Sequence, residues 1–163
     1  MRPGRFSISK LAAILAFSFG TGLAAQMPNP YGPPIPVELA KKAAAAALAE
    51  AAKNNWTMAV AVVDWSGNLV YYEKMDNTQV ASAKVCIYKA RTSATYKRPS
   101  KAFQDALAAG GVGLRILDLP GATAVEGGMP LLVDGRIIGA IGLSGDTSEH
   151  DNQCAVAGAA VIK

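Results

Sequence analysis

The most restrictive feature of this sequence is a glycine-rich stretch, "EGGMPLLVDGRIIGAIGLSG", at residues 126–145. Two apolar runs flank Asp134-Gly135, a dipeptide that strongly favours a two-residue turn between antiparallel strands. The other glycines allow helices to pack closely on such strands. The stretch therefore predicts a β-hairpin that helices cover, preceded by a loop in which Gly127 and Gly128 are candidates to face a ligand.

The remaining pattern predicts an α+β domain. Apolar spacing of the helical period and runs of β-branched residues alternate along the chain. The predicted elements are helices at about 37–53, 77–97, 100–109 and 148–162, a hairpin at 57–75, the hairpin already described, and a strand at "GLRILDLP" (113–120). In this reading Ser100 is the N-cap of the third helix. The order predicts an antiparallel sheet of about five strands packed against helices.

Residues 1–25 have the composition of a secretory leader. They begin with three basic residues and no acid, continue with the apolar run "LAAILAFSFGTGL", and end in small residues. The run is short for a membrane span. We expect a signal peptide over 1–25, a proline-rich arm over 26–36, and a domain over 37–163. The protein is then periplasmic or secreted, with no membrane span after the leader is removed; a short N-terminal anchor is the alternative.

The leader also accounts for most of the net charge of +4. The chain has 16 Lys and Arg residues and 12 Asp and Glu residues. Three of the basic residues leave with the leader, so the mature chain has a net charge of +1. We therefore expect no nucleic-acid partner, because such proteins carry a strong basic footprint.

The cysteine and histidine content limits the metal chemistry. Cys86 and Cys154 lie in two different predicted helices, and neither starts a CxxCH sequence, which excludes covalent haem attachment. Export permits one disulfide between them, and two buried, unpaired thiols are the alternative. His150 is the single histidine, so one chain cannot supply a two-histidine metal site.

The second helix and the segment after it are strongly basic. They carry six positive residues and no acid, namely Lys84, Lys89, Arg91, Lys97, Arg98 and Lys101. Amines and guanidinium groups pair well with ligand carboxylates, and Tyr88 and Tyr96 add flat apolar surface beside them. The pattern predicts a wall that faces an amphiphilic ring with carboxylates; a solvated basic surface is the alternative.

Two further residues have site chemistry. His150 stands in the first turn of the last helix, where the helix dipole favours the neutral imidazole that metal ligation requires; a solvent-facing histidine is the alternative. Glu126 is the only charged residue of its loop and is a candidate proton acceptor, or else simply an exposed side chain.

Three motifs in order resemble the GlcG/HbpS family, which extends to the C-terminal domain of PduO-type adenosyltransferases. They are "AVAVVDWSGNLV", "KARTSATYKRPSKAF" and "EGGMPLLVDGRIIGAIGLSGDTSEHD", and the resemblance covers about residues 37–162. It implies an α-β-α sandwich of the profilin or PAS type, assembled into dimer-based homo-oligomers such as octamers. It also implies non-covalent haem b, and it places Ser100 at a position associated with the iron.

The resemblance and the residues together leave three functions open. The first is an exported haem-binding protein for haem carriage or redox sensing, with His150 or Ser100 near the iron. Its expected contacts to haem, or to another small amphiphilic carboxylate, are Lys89, Arg91, Tyr96, Arg98, Ser100, Gly127 and Gly128. The second is a small periplasmic enzyme or accessory protein for an organic acid or aldehyde, with Glu126 as acid/base and Lys89 or Arg91 as anchor. The third is a non-catalytic partner module.

Overall fold

The computed structural model describes residues 29–163. The predicted leader and the first residues of the predicted arm lie outside this range. The elements of the described part are α1 Val37–Lys53, β1 Ala59–Asp64, β2 Leu69–Lys74, α2 Ser82–Thr95, α3 Lys101–Ala108, a 3₁₀ helix Gly111–Asp118, β3 Gly128–Val133, β4 Arg136–Ser144 and α4 Ser148–Ala160. No helix of residues 29–163 combines the length and apolarity that a membrane crossing needs.

One antiparallel sheet with the strand order β2-β1-β4-β3 forms the middle layer. Helices α1 and α4 pack together on one face, and α2 packs on the other. The α+β class and the α-β-α sandwich are therefore confirmed. The sheet has four strands rather than the predicted five or so.

Strand β1 shows how the sequence divides its side chains between the two helical layers. Val60 and Val62 join the large core under α1 and α4, whereas Ala61 and Val63 face the α2 side, because successive side chains of a strand alternate. The α2 side is built from small residues. A Cβ added to Gly142 would lie 2.1 Å from the carbonyl oxygen of Cys86, so α2 lies almost directly on the sheet.

The predicted turn of the second hairpin is confirmed. Asp134 and Gly135 have φ values of +48° and +71°, the left-handed conformations that a two-residue hairpin turn of this type requires. They connect β3 to β4 with the register Val133 opposite Arg136.

The predicted strand at 113–120 is wrong, and this accounts for the missing strand. Gly110 and Gly111 adopt φ values of +66° and +55° and turn the chain back onto α3. A Cβ at Gly113 would lie 1.8 Å from the carbonyl oxygen of Ala106. A segment held this close to a helix has no room to extend along a sheet edge, and it forms the 3₁₀ helix instead.

The starts of α2 and α3 differ from the prediction, whereas α4 begins at Ser148 as expected. Ser100 precedes α3 but makes no capping bond; its Oγ accepts a hydrogen bond from the backbone N–H of Gly128 at 2.9 Å. Helix α2 begins at Ser82, later than predicted. At α4 the cap is Thr147, whose hydroxyl accepts from the N–H of His150.

The two cysteines are free and buried. Cys86 faces the sheet from α2, whereas Cys154 belongs to the core on the α1 and α4 side. The sheet separates them, so the alternative of two buried, unpaired thiols is confirmed. Burial raises the pKa of each thiol to about 12.

Candidate functional site

Lys89 lies inside the protein and not on an exposed basic wall. Its side chain is 1% exposed, and its Nζ is 2.6 Å from Oδ2 of Asp151, itself 3% exposed. Burial raises the pKa of the Asp151 carboxyl, and the ammonium of Lys89 opposes that shift. The charge of Lys89 is therefore already neutralised by a partner from α4. The two residues form a buried ion pair that joins α2 to α4, and we call it the clamp.

Gly127 and Gly128 pack on this clamp. A Cβ at Gly127 would lie 3.0 Å from Nζ of Lys89 and 2.8 Å from the Cβ of Asp151, and its φ is +114°. A Cβ at Gly128 would lie 2.3 Å from the carbonyl oxygen of Lys89. Both glycines are buried, so the predicted ligand-facing loop is better described as the cover of the ion pair.

Glu126 is held by a partner that sequence reasoning missed. Its backbone N–H donates to Oε1 of Gln104 at 2.9 Å, and its Oε1 accepts from Nε2 of the same side chain at 3.2 Å. The glutamate is only 4% exposed. The contact could not be predicted from the sequence, because nothing about a single glutamine in a short helix indicates a partner 22 residues away.

An apolar cavity of about 320 Å³ lies between α3 and the 3₁₀ helix, and we call it the α3 cavity. Phe103, Ile116 and Leu119 line it, together with two arginines, Arg98 and Arg115. The Nε of Arg98 donates to the carbonyl oxygen of Tyr96 at 3.1 Å. The guanidinium carbon of Arg98 lies 5.7 Å from the centre of the Phe103 ring. The site thus combines an aromatic wall with two permanent positive charges.

Arg98 was predicted as a contact residue, whereas Arg115 was missed. The reason is the strand assigned to 113–120, which placed Arg115 in a sheet. In the structure the 3₁₀ helix folds back on α3, and the two arginines line the same cavity.

A second cavity, of about 430 Å³, lies beside the turn between β1 and β2, and we call it the hairpin cavity. Its lining includes Arg91 and Tyr96 with the turn residues 66–68. The Tyr96 hydroxyl donates to the carbonyl oxygen of Pro120 at 2.7 Å, and its ring meets Phe103 edge-on at 5.2 Å. Tyr96 therefore contacts the walls of both cavities.

His150 lies apart from the α3 cavity. Its ring stacks on Trp56 with centroids 3.8 Å apart, and its Nδ1 lies 3.1 Å from Oδ1 of Asp146. The N–H of Thr147 and, secondarily, the His150 ring hold the pKa of the Asp146 carboxyl below its usual value. In the neutral tautomer that donates from Nδ1 to Asp146, Nε2 is the acceptor nitrogen, an arrangement typical of ligating histidines.

The structure therefore divides the predicted contact residues into separate groups. Lys89, Gly127, Gly128 and Ser100 form one buried cluster. Arg98 lines the α3 cavity, Arg91 and Tyr96 line the hairpin cavity, and His150 lines neither. Direct ligand roles for these residues remain predictions.

Comparison with known proteins identifies the family. The family model described as "Haem degrading protein HbpS-like" matches residues 35–160. Protein GlcG of Escherichia coli (strain K12) is 39% identical over 107 residues, which is 66% of this chain and 78% of GlcG.

Solved structures agree with this assignment. A double mutant of HbpS from Streptomyces reticuli superposes with a TM-score of 0.74 at 27% identity, over 99% of each chain. A PduOC:heme complex superposes with a TM-score of 0.71 at 23% identity, over 80% of this chain and 96% of that one, which shows a shared fold. Since the family model covers most of the chain and its fold is shared with HbpS, this protein belongs to the HbpS-like family.

Proposed function

We propose that this protein binds haem b non-covalently in the α3 cavity and acts, after export, in haem carriage or redox sensing. Membership of the HbpS-like family and the likeness to a haem complex support a haem-related function. The observation that carries the proposal is the pairing of Arg98 and Arg115 on an apolar cavity with Phe103 in its wall.

The residues of the α3 cavity fit the periphery of haem. Haem b is a flat apolar macrocycle with two propionates at one edge, and two arginines match two carboxylates. Phe103, Ile116 and Leu119 offer apolar surface to the ring, and no acidic side chain of residues 29–163 lines the cavity. Its volume of about 320 Å³ lies at the lower end of the range for ligand cavities, which suits a haem that is partly exposed.

The described part of the chain contributes no iron ligand to the walls of the α3 cavity, since the polar side chains there are guanidinium groups, which stay protonated. Of the two candidates named from the sequence, His150 has the more suitable geometry because Asp146 holds Nδ1. The Ser100 hydroxyl is fully buried and already accepts from Gly128. We therefore expect His150 to come from a neighbouring copy in a homo-oligomer. Bound haem would supply the one-electron iron couple on which redox sensing depends.

A haemin titration followed by absorbance tests the proposal. We expect saturation at one haem per chain for the parent protein. The double variant Arg98→Gln/Arg115→Gln should bind about tenfold more weakly or worse, because two charge-assisted contacts are lost. Arg136→Gln is the matched control, since Arg136 is an exposed arginine at the far hairpin turn, and its affinity should equal that of the parent.

The iron ligand is tested separately. His150→Ala should shift the absorbance bands of bound haem, whereas Ser100→Ala should show the parental bands. Both variants must keep the parental circular dichroism. Weak binding that never saturates, with the same affinity in the arginine double variant, would show that haem adsorbs without a site and would end this proposal.

A further inference from the structure

Arg91 sits on the β1–β2 turn with part of its guanidinium group unused. Its Nε donates to the carbonyl oxygen of Gly67 at 2.9 Å. Gly67 has a φ of +87° and no side chain, so the stem of Arg91 packs on the turn backbone. Within residues 29–163, the two terminal nitrogens of Arg91 make no hydrogen bond or ion pair. The Nε bond fixes the arginine while leaving its terminal nitrogens available.

The hairpin cavity around Arg91 is polar, unlike the α3 cavity. Within residues 29–163, its lining includes three hydroxyl groups and one carboxamide, those of Ser66, Thr95, Tyr96 and Asn68, and no acidic side chain. The hydroxyls of Thr95 and Tyr96 already donate to backbone carbonyl oxygens, so they remain available to a ligand as acceptors. Its single positive charge belongs to Arg91. Arg91 would repel a cation, and a ligand with several negative charges would find only one positive partner. The lining therefore suits a ligand with a single negative charge.

The nearest carboxylate of the turn is occupied by the turn itself. Oδ1 of Asp64 accepts from the backbone N–H groups of Ser66 and Asn68 at 2.8 and 2.9 Å, and Oδ2 accepts from the Asn68 amide at 3.1 Å. These three bonds hold the turn in shape. Asp64 makes no ion pair with Arg91, so the arginine keeps its charge for a ligand.

From this geometry we propose that the hairpin cavity is a binding site for a hydroxylated carboxylate, up to the size of a sugar acid. The guanidinium fork of Arg91 pairs with one carboxylate, and the hydroxyl and amide groups of the lining bind ligand hydroxyls. The cavity volume of about 430 Å³ falls within the range of small-molecule sites. The site is independent of haem, since Tyr96 and Pro120 stand between it and the α3 cavity.

Nuclear magnetic resonance of the ¹⁵N-labelled protein tests this site with D-gluconate and L-lactate as probes. Sorbitol, which has hydroxyl groups and no charge, and inorganic phosphate serve as comparison ligands at constant ionic strength. We expect gluconate to shift the amide signals of Gly67, Asn68, Thr95 and Gly121 in a saturable manner. Sorbitol and phosphate should leave these signals in place.

Two variants locate the contact. Arg91→Gln should weaken gluconate binding about tenfold or more, the cost of one charge-assisted contact, and Arg91→Lys should recover part of it. Ser66→Ala should keep the turn, because Ser66 contributes only its backbone N–H to it. This variant should weaken gluconate binding less than Arg91→Gln does. Arg115→Gln is the matched arginine control and should bind gluconate like the parent.

The outcome is separable from that of the haem proposal. Arg115→Gln should weaken haemin binding and keep parental gluconate affinity, because Arg115 lines the α3 cavity and not the hairpin cavity. The carboxylate site is overturned if gluconate and lactate produce no saturable shift, if sorbitol or phosphate shifts the same signals equally, or if Arg91→Gln binds gluconate as the parent does.

Discussion

Lys89 and Asp151 meet at 2.6 Å with both side chains almost wholly buried, and they join two helices that pack on opposite faces of the sheet. The second carboxylate oxygen of Asp151 faces the backbone N–H of Asp146 at 3.4 Å, where β4 leads into α4. The pair therefore fixes the start of α4 against α2. Gly127 packs directly on the pair, so the pair also supports the glycine-rich loop that precedes β3.

Loss of Lys89 should strongly destabilise the fold. Lys89→Met leaves the Asp151 carboxyl buried without its cation, and breaking one partner of a buried pair costs about 3–5 kcal/mol. The measurement is the free energy of unfolding from urea titration. Lys41→Met is the control, because Lys41 pairs with Glu38 at an exposed position and exposed pairs contribute about 0–1 kcal/mol.

The double variant Lys89→Met/Asp151→Leu tests whether the unpaired charge causes the loss of stability. Replacing both partners removes the unpaired charge, so it should recover most of the stability lost in Lys89→Met. A double variant as unstable as the single one would contradict this account of the pair.

Gly128→Ala should be more damaging than a glycine substitution at an open turn. The added Cβ would overlap the Lys89 carbonyl oxygen at 2.3 Å and the Ser93 hydroxyl at 2.6 Å. The matched control is Gly135→Ala, where nothing lies within 4 Å and only the positive φ opposes a side chain. We expect Gly135→Ala to cost about 1 kcal/mol and Gly128→Ala to cost at least twice that in urea unfolding. Equal losses would mean that β3 moves away from α2 freely.

The fold was largely predictable because its strongest signals are local. Asp134-Gly135 determines the hairpin turn through backbone conformation alone, and the alternation along β1 follows from a sheet with helices on both faces. The strand predicted at 113–120 failed because the segment packs back on α3 through Gly113 and the buried Ile116, while Leu114 and Leu117 are exposed. That contact is visible only in three dimensions.

The site was less predictable because partners distant in sequence decide it. Lys89 reads as one more positive charge of a basic helix until Asp151, 62 residues away, is brought to it. The same holds for Gln104 against Glu126 and for Arg115 beside Arg98. Charge and spacing predict which residue types are available, and only packing determines which of them remain free for a ligand.

The two thiols should make the protein sensitive to alkali. Burial disfavours the thiolate and raises the pKa of each thiol in the fold to about 12, well above the ordinary value of a cysteine thiol. Their contribution is fully present below pH 9 and is lost as the pH rises toward 12, since the unfolded chain releases these protons first. Each thiol should lower the free energy of unfolding by about 1.4 kcal/mol per pH unit in that window.

Urea titrations between pH 8 and pH 11 measure this loss, with Cys86→Ala/Cys154→Ala as the control, whose slope against pH should be smaller. A colorimetric thiol reagent adds a direct check. It should find no reactive thiol in the native protein and two after unfolding, whereas a disulfide would leave none in either state.

Tyr96→Phe should weaken both proposed sites at once. Its hydroxyl holds the carbonyl oxygen of Pro120 at 2.7 Å, and the neighbouring Leu119 and Gly121 line the α3 cavity and the hairpin cavity respectively. Loss of one such bond costs about 1 kcal/mol. If the whole cost falls on the bound state, the affinity drops several-fold. The measurement is the dissociation constant for haemin and for gluconate in the same preparation. The control is Tyr88→Phe, which changes an exposed tyrosine of α2 and should leave both constants unchanged. A Tyr96→Phe protein with parental affinity for both ligands would show that this wall is rigid without the bond.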